Sequence, residues 1–289
     1  MKLQPHVLGL ILIFVSTVVL STAGLMARLV VLDSVTIVFW RGLAGGLALL
    51  VVLFIGSPKH GFRQFSSMKW PALLVAAVTA IGMTFFIAAL KATSVAHVSI
   101  IFATCPFVSA GLGLILLGER PGRSALLASI VALAGVVFMV GVGEAGGLLG
   151  DLFAFAMTVS VALTTVLVRR YPEQPVMPSA ALAAIFSALA ALPFAEPLAA
   201  SGRDILIVAC FGILGFALGI SLLLSGARLL SPVETALIGS LDAPLAPLWV
   251  WLFLGEHVDY ATMIGGGIVM GAVACHVGGD MRRRTVTCT

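Results

Sequence analysis

Asp242 is the residue of this sequence whose surroundings most require an explanation. It lies about ten residues into the apolar run 233–254, and an ionisable group inside such a run is costly and functional by default. Glu234 stands eight residues earlier, on roughly the same face at about 100° per residue. Pro244 and Pro247 follow Asp242, and prolines there remove intrahelical hydrogen bonds. A freed carbonyl beside a carboxyl group can coordinate a substrate ammonium. Asp242 therefore reads either as a binder of substrate cation or proton, or as a neutral, hydrogen-bonded packing residue.

Other candidates are fewer. Glu234 comes two residues after Pro232, in the first turn of its helix, where a carboxylate complements the dipole and caps amides; it is also a proton-linked gate candidate. His97 holds the matching place in an earlier run. Its side chain type titrates near neutral pH, so it reads as a gate sensor or as an interfacial helix residue. Arg41 has two readings: a pair with Asp33 or a snorkel to the surface, and an attractor of substrate carboxylate in an outward vestibule. Trp40 beside it anchors at the interface. Thr79, Ser99 and Ser221 offer substrate-binding hydroxyls. Glu119 and Glu256 end their helices at opposite faces, with Arg120 and Arg123 as local partners for Glu119.

The elements that position these residues follow from composition. The 289 residues are 61% hydrophobic and 10% charged, against about 25% charged in a soluble domain. Mean hydropathy is +1.18. This excludes a soluble globule and a disordered chain. A bilayer core about 30 Å thick takes roughly 20 apolar residues per helix. The sequence holds ten such runs: 6–28, 35–55, 70–90, 97–117, 124–142, 150–169, 177–195, 204–227, 233–254 and 260–278. They are continuous rather than alternating, which favours helices over a barrel. Runs this long are not secretory leaders.

Charge orients the runs. With the amino terminus inside, twelve Lys and Arg fall on the inner side, among them Lys59, Arg120, Arg169 and Arg228, and four (Arg28, Arg41, Lys91, Arg203) on the outer. Basic residues favour the cytoplasm, so both termini are expected there. The net charge of +4 is thus a topology signal, not a nucleic-acid one. Cys105, Cys210 and Cys275 sit in apolar runs and Cys288 in the tail, with no CxxC spacing. No disulfide framework, metal centre or cofactor is expected.

Two stretches repeat at a constant offset of 137 residues: Lys91 matches Arg228, Ser94 matches Ser231, Gly82 matches Gly219, and Leu117-Gly118-Glu119 matches Leu254-Gly255-Glu256. The chain reads as residues 1–145 and 146–280, five helices each, followed by a basic cytoplasmic tail, 281–289. An odd number of crossings inverts the second copy, an arrangement associated with alternating access. Gly42 with Gly46, Gly215 with Gly219, and Gly267 with Gly271 are GxxxG pairs that permit close helix approach.

These residues carry a resemblance. Phe39-Trp40-Arg41, Ala88-Ala89-Leu90-Lys91-Ala92-Thr93-Ser94, Pro106, Leu117-Gly118-Glu119-Arg120 and Leu252-Phe253-Leu254-Gly255-Glu256 make the chain similar to ten-helix EamA-type members of the drug/metabolite transporter (DMT) superfamily, over nearly its whole length. The resemblance implies a central cavity between helices three, four, eight and nine. It also implies export of amino acids, other metabolites or toxic compounds across a bacterial inner membrane, with a YddG-like amino-acid exporter as the nearest subgroup. Only Tyr171 and Tyr260 are present, so tyrosine-rich walls for aromatic substrates are absent.

The expected fold is all-α, and the expected function is secondary transport of small metabolites, foremost amino acids. Drug efflux and lipid-carrier flipping on the same fold are the alternatives. A flippase needs a basic phosphate site in the membrane, for which only Arg41 is available. An enzyme is not expected, since the sequence has no HExxH, GxSxG or paired Asp motif. No Walker motif supplies ATP. The expected partners are the lipid bilayer and a small solute, not nucleic acid. Ten helices can enclose a pathway in one chain, which leaves monomer and oligomer both open.

Overall fold

The computed structural model describes residues 4–55, 58–93, 95–140, 147–255 and 260–286. Among these residues the structure is all-helical. Hydrocarbon offers backbone amides no partner, so a spanning segment must satisfy its own hydrogen bonds. Eight helical segments are long and apolar enough to cross a membrane, and Pro5–Leu20 and Trp70–Phe86 are shorter apolar helices. The uninterrupted helices are α3 (Ser34–Ile55), α5 (Trp70–Ala92), α8 (Arg123–Val140), α9 (Leu148–Arg170), α10 (Val176–Ala191) and α15 (Tyr260–Val286).

The remaining apolar segments are interrupted. The first comprises α1 (Pro5–Leu20) and α2 (Ala23–Leu29), and another comprises α6 (Val95–Phe102) and α7 (Cys105–Leu117). A third comprises α13 (Pro232–Gly239) and α14 (Asp242–Leu254). In Gly202–Gly226, a π-helical stretch, Phe211–Ala217, separates α11 (Gly202–Cys210) from α12 (Leu218–Gly226). A strongly amphipathic surface helix, α4 (Pro58–Ser66), lies between the apolar runs 35–55 and 70–90. It is fastened by Phe54 of α3, whose ring lies 5.4 Å from Phe62 and 6.0 Å from Phe65.

Packing follows a pseudo-repeat. The helices of the amino-terminal part pair with those of the carboxy-terminal part: α3 with α10, α5 with α9, α1 with α12, α8 with α15, and α7 with α13. Small residues allow these approaches, as expected where helix association rests on close packing rather than a hydrophobic driving force. A Cβ on Gly212 would stand 2.5 Å from the Arg41 carbonyl oxygen, and one on Gly265 2.5 Å from that of Gly135. Gly82 and Gly219, matched by the 137-residue offset, abut Ser160 of α9 and Leu20 of α1. Gly42 and Gly46 press on α10 at Ala184 and Ile185, whereas Gly267 and Gly271 of the third GxxxG pair have open space beside them. On α15, Gly265 makes the close approach.

The repeated Leu-Gly-Glu signature also has a local cause. Gly118 ends α7 at φ 70° and Gly255 ends α14 at φ 67°, and the left-handed region favours glycine. Glu256 and Ser94 lie outside the described residues.

Gly212→Val should lower stability by about 2–3 kcal/mol, because its side chain meets backbone. Gly267→Val should be close to neutral. Melting temperatures of the two purified variants in detergent check the contrast.

Candidate functional site

The interruptions are where chemistry gathers. In α6–α7 the break comes just before Pro106, and in α13–α14 just before Pro244. A proline lacks the N–H for an i−4 bond and crowds that carbonyl. The two breaks are equivalent, since Thr104 and Leu241, the residues before α7 and α14, are 137 apart and both helical in φ and ψ. Asp242 is therefore the first residue of α14 rather than a mid-helix residue, and its carboxylate sits at the positive end of that half-helix. No hydrogen bond or ion pair joins its side chain to another among the described residues. Its counterpart at the other break is Cys105, whose buried thiol lies 3.9 Å from Ser109 Oγ.

The break between α1 and α2 has no proline. There Thr17, Ser21 and Thr22 donate back to the carbonyls of Ile13, Val18 and Val19, a habit that bends helices. Trp249 of α14 donates its indole N–H to Ser21 Oγ at 2.8 Å. Reading the sequence missed this tie, because residues 21 and 249 share no local signal.

Arg41 does not pair with Asp33. Asp33 Oδ2 accepts the amides of Val35 and Thr36, capping α3. The Arg41 guanidinium lies over the Phe216 ring, 4.6 Å from its centroid, and its buried Nε has no hydrogen-bond partner. The approach depends on Gly212, which brings the π-helical segment against the Arg41 backbone. Cation–π contact offsets only part of the desolvation of such a charge. The Trp40 indole N–H is likewise buried and unpartnered.

Two histidine–carboxylate pairs lie at opposite ends of the bundle. At one end, Asp151 in the first turn of α9 accepts from Thr93 Oγ1 at 2.9 Å and meets His97 Nδ1 at 3.1 Å. Gly150 permits this, as a Cβ there would stand 2.5 Å from the Ala92 carbonyl carbon. At the other end, Glu234 of α13 faces His6 of α1, with His6 Nε2 3.2 Å from Oε1. Gly9, one turn along α1, lies against Leu229 and Leu230. Glu234 caps its helix as expected: Ser231 Oγ accepts from the Glu234 amide, and Glu234 Oε2 accepts from the Ser231 amide. His97 and Glu234 are equivalent by the 137 offset, so one place in the two copies carries an imidazole in one and a carboxylate in the other.

The end that carries Glu234 also holds a polar cluster. Glu119 pairs with Arg169 Nε at 3.3 Å, not with Arg120 or Arg123, which are exposed. Helix α9 brings Arg169 there from roughly 27 Å away from Asp151, at about 1.5 Å per residue. Arg169 also donates to the Arg228 carbonyl at 2.8 Å, and Arg228 donates to the Gln174 carbonyl. Burial lowers the pKa of Arg228, while Glu173 nearby raises it.

The hydroxyl candidates divide. Thr79 donates to the Val75 carbonyl at 2.7 Å and contacts Thr164 Oγ1 at 3.2 Å, so it is engaged at the α5–α9 contact. Ser99 is half-buried. The Ser221 Oγ is buried without a partner. Two shallow clefts lie near Arg228 and near Glu119, and none of Thr79, Ser99, Ser221 or Asp242 lines either.

Comparison with known proteins accounts for this architecture. The sequence matches the model of the EamA-like transporter family twice, over residues 7–141 and 148–277. A solved crystal structure superimposes with a TM-score of 0.80 over 93% of this chain and 96% of that one, at 20% identity, which establishes the shared fold. No curated protein matches. The chain belongs to the EamA-like transporter family of the DMT superfamily, a secondary transporter that carries solutes across a membrane and not an enzyme.

Proposed function

We propose that the chain exports small amphipathic metabolites, amino acids foremost, across a bacterial inner membrane by alternating access, as a YddG-like exporter. The proposal includes ten crossings as two inverted five-helix halves, residues 1–145 and 146–280, with both termini and the tail 281–289 cytoplasmic. The observation that carries the substrate reading is Asp242, a carboxylate without a side-chain partner at a helix break inside the membrane. A substrate ammonium would supply the missing counter-charge. Arg41, buried without a carboxylate partner, suits the other end of a zwitterion, and Ser221 has a hydroxyl to spare. Ser99 is kept as a binding candidate. Thr79 is a weaker one, since its hydroxyl is already engaged.

The histidine–carboxylate pairs act as gates. His97–Asp151 closes one end and His6–Glu234 the other, so transport opens them in turn.

Uptake of labelled amino acids into proteoliposomes, with and without a pH gradient, tests the function. Wild type should show saturable uptake of a few members, and Asp242→Asn should reduce it by roughly tenfold or more, the scale of about 1.4 kcal/mol or above. Wild-type rates from Asp242→Asn at every pH would overturn the substrate reading. His97→Gln should flatten the pH profile of transport, and an unchanged profile would remove His97 from the gate. Cysteine-accessibility labelling should find residues introduced near Lys59 and Arg120 cytoplasmic and those near Arg203 external.

A further inference from the structure

Glu234 does more than cap a helix and meet His6. Its two oxygens are divided: Oε2 is held by the Ser231 amide and hydroxyl at 3.2 and 2.9 Å, which leaves Oε1 facing inward. His6 Nε2 lies 3.2 Å from Oε1 and 3.6 Å from Asp280 Oδ2. The ligand atoms of His6, Glu234 and Asp280 all fall within 4.8 Å of one another. Three helices, α1, α13 and α15, thus deliver one imidazole and two carboxylates to a single point.

A second observation concerns His276, only 7% exposed. Its Nδ1 is 3.1 Å from Ser124 Oγ. Its Nε2 points at the same Glu234 oxygen from 3.7 Å, beyond hydrogen-bond length, and has no partner. A buried imidazole with one nitrogen anchored and the other unsatisfied is arranged as a metal-ligating histidine is, with its second nitrogen fixed by an outer hydrogen bond.

We propose that His6, Glu234 and Asp280, with His276 beside them, form a binding site for a divalent first-row transition-metal ion such as Zn²⁺. The separations agree with that chemistry. Metal–ligand bonds of about 2.0–2.1 Å in a tetrahedron place ligand atoms roughly 3.3 Å apart, close to the 3.2 and 3.6 Å seen here. Imidazole with carboxylates selects Zn²⁺ and its neighbours over Mg²⁺ and Ca²⁺, which prefer all-oxygen sites. Ser231 orients one ligand and Ser124 holds His276 ready. An ion there ties α1 to α13 and α15, and on the alternating-access reading of Proposed function it holds that end of the bundle shut.

The test does not depend on transport. Tag-free protein in detergent is dialysed against micromolar Zn²⁺ and its metal content measured, with Mg²⁺ in a parallel dialysis. Wild type should retain about one equivalent of Zn²⁺ and no Mg²⁺. His6→Ala and Asp280→Asn, each checked for a monodisperse profile, should bind roughly tenfold more weakly or worse. Co²⁺ should give a d–d absorption band in wild type that Asp280→Asn diminishes. Zn²⁺ retention equal in wild type and both variants, or no retention by wild type, would overturn the proposal whatever the transport assay shows.

Discussion

A peptide group in hydrocarbon must find its hydrogen-bond partner within its own helix or buried against another, and this constraint organises the molecule. Where the helices are regular, nothing is left over for a solute. Where a helix is interrupted, carbonyls and amides become available, and the interruption is tolerated only if protein surrounds it. The breaks before Pro106 and Pro244 are packed among other helices: α7 lies against α9 and α13, and α14 against α2 and α15. Unspent polar groups have the same setting. Asp242 opens a half-helix, and Arg41 lies on Phe216 with its Nε unpartnered.

Close packing supplies the second layer. With lipid as apolar as leucine, helices gain little by hiding from it, so they associate where small residues let backbones meet. Close approaches such as Gly212 on Arg41 and Gly265 on Gly135 join helices far apart in the chain. The long helices α1, α3, α5 and α8 of one part lean on α12, α10, α9 and α15 of the other more than on their own sequence neighbours. Backbone meets backbone at some of these contacts, and elsewhere a glycine receives a large side chain, as Gly219 receives Leu20 and Gly46 receives Ile185.

The polar ends complement that scaffold. His97, which meets Asp151, and Glu234, which meets His6, occupy equivalent positions at opposite ends. Duplicated backbone geometry can thus be kept while the side chains diverge. The end bearing Glu234 also holds Glu119–Arg169, the donation from Arg228 to Gln174, and the approach of His276.

Much of this was legible in the sequence. Run length and charge scarcity specify apolar helices, because a bilayer leaves few alternatives. The 137-residue offset pointed to the equivalence of His97 with Glu234, and the Leu-Gly-Glu repeats mark helix ends that require left-handed glycine. Asp242 stood out because a carboxylate there has no cheap explanation. Tertiary structure alone decided the partners. Arg41 lies on Phe216 rather than beside Asp33, Glu119 reaches Arg169 rather than Arg120, and His6, Glu234 and Asp280 converge from three distant helices. The reason is physical. Helix formation and helix ends depend on residues within a turn or two, whereas a side chain's partner depends on which helix packs beside it. That choice rests on glycine contacts scattered along the chain, which no local pattern reveals.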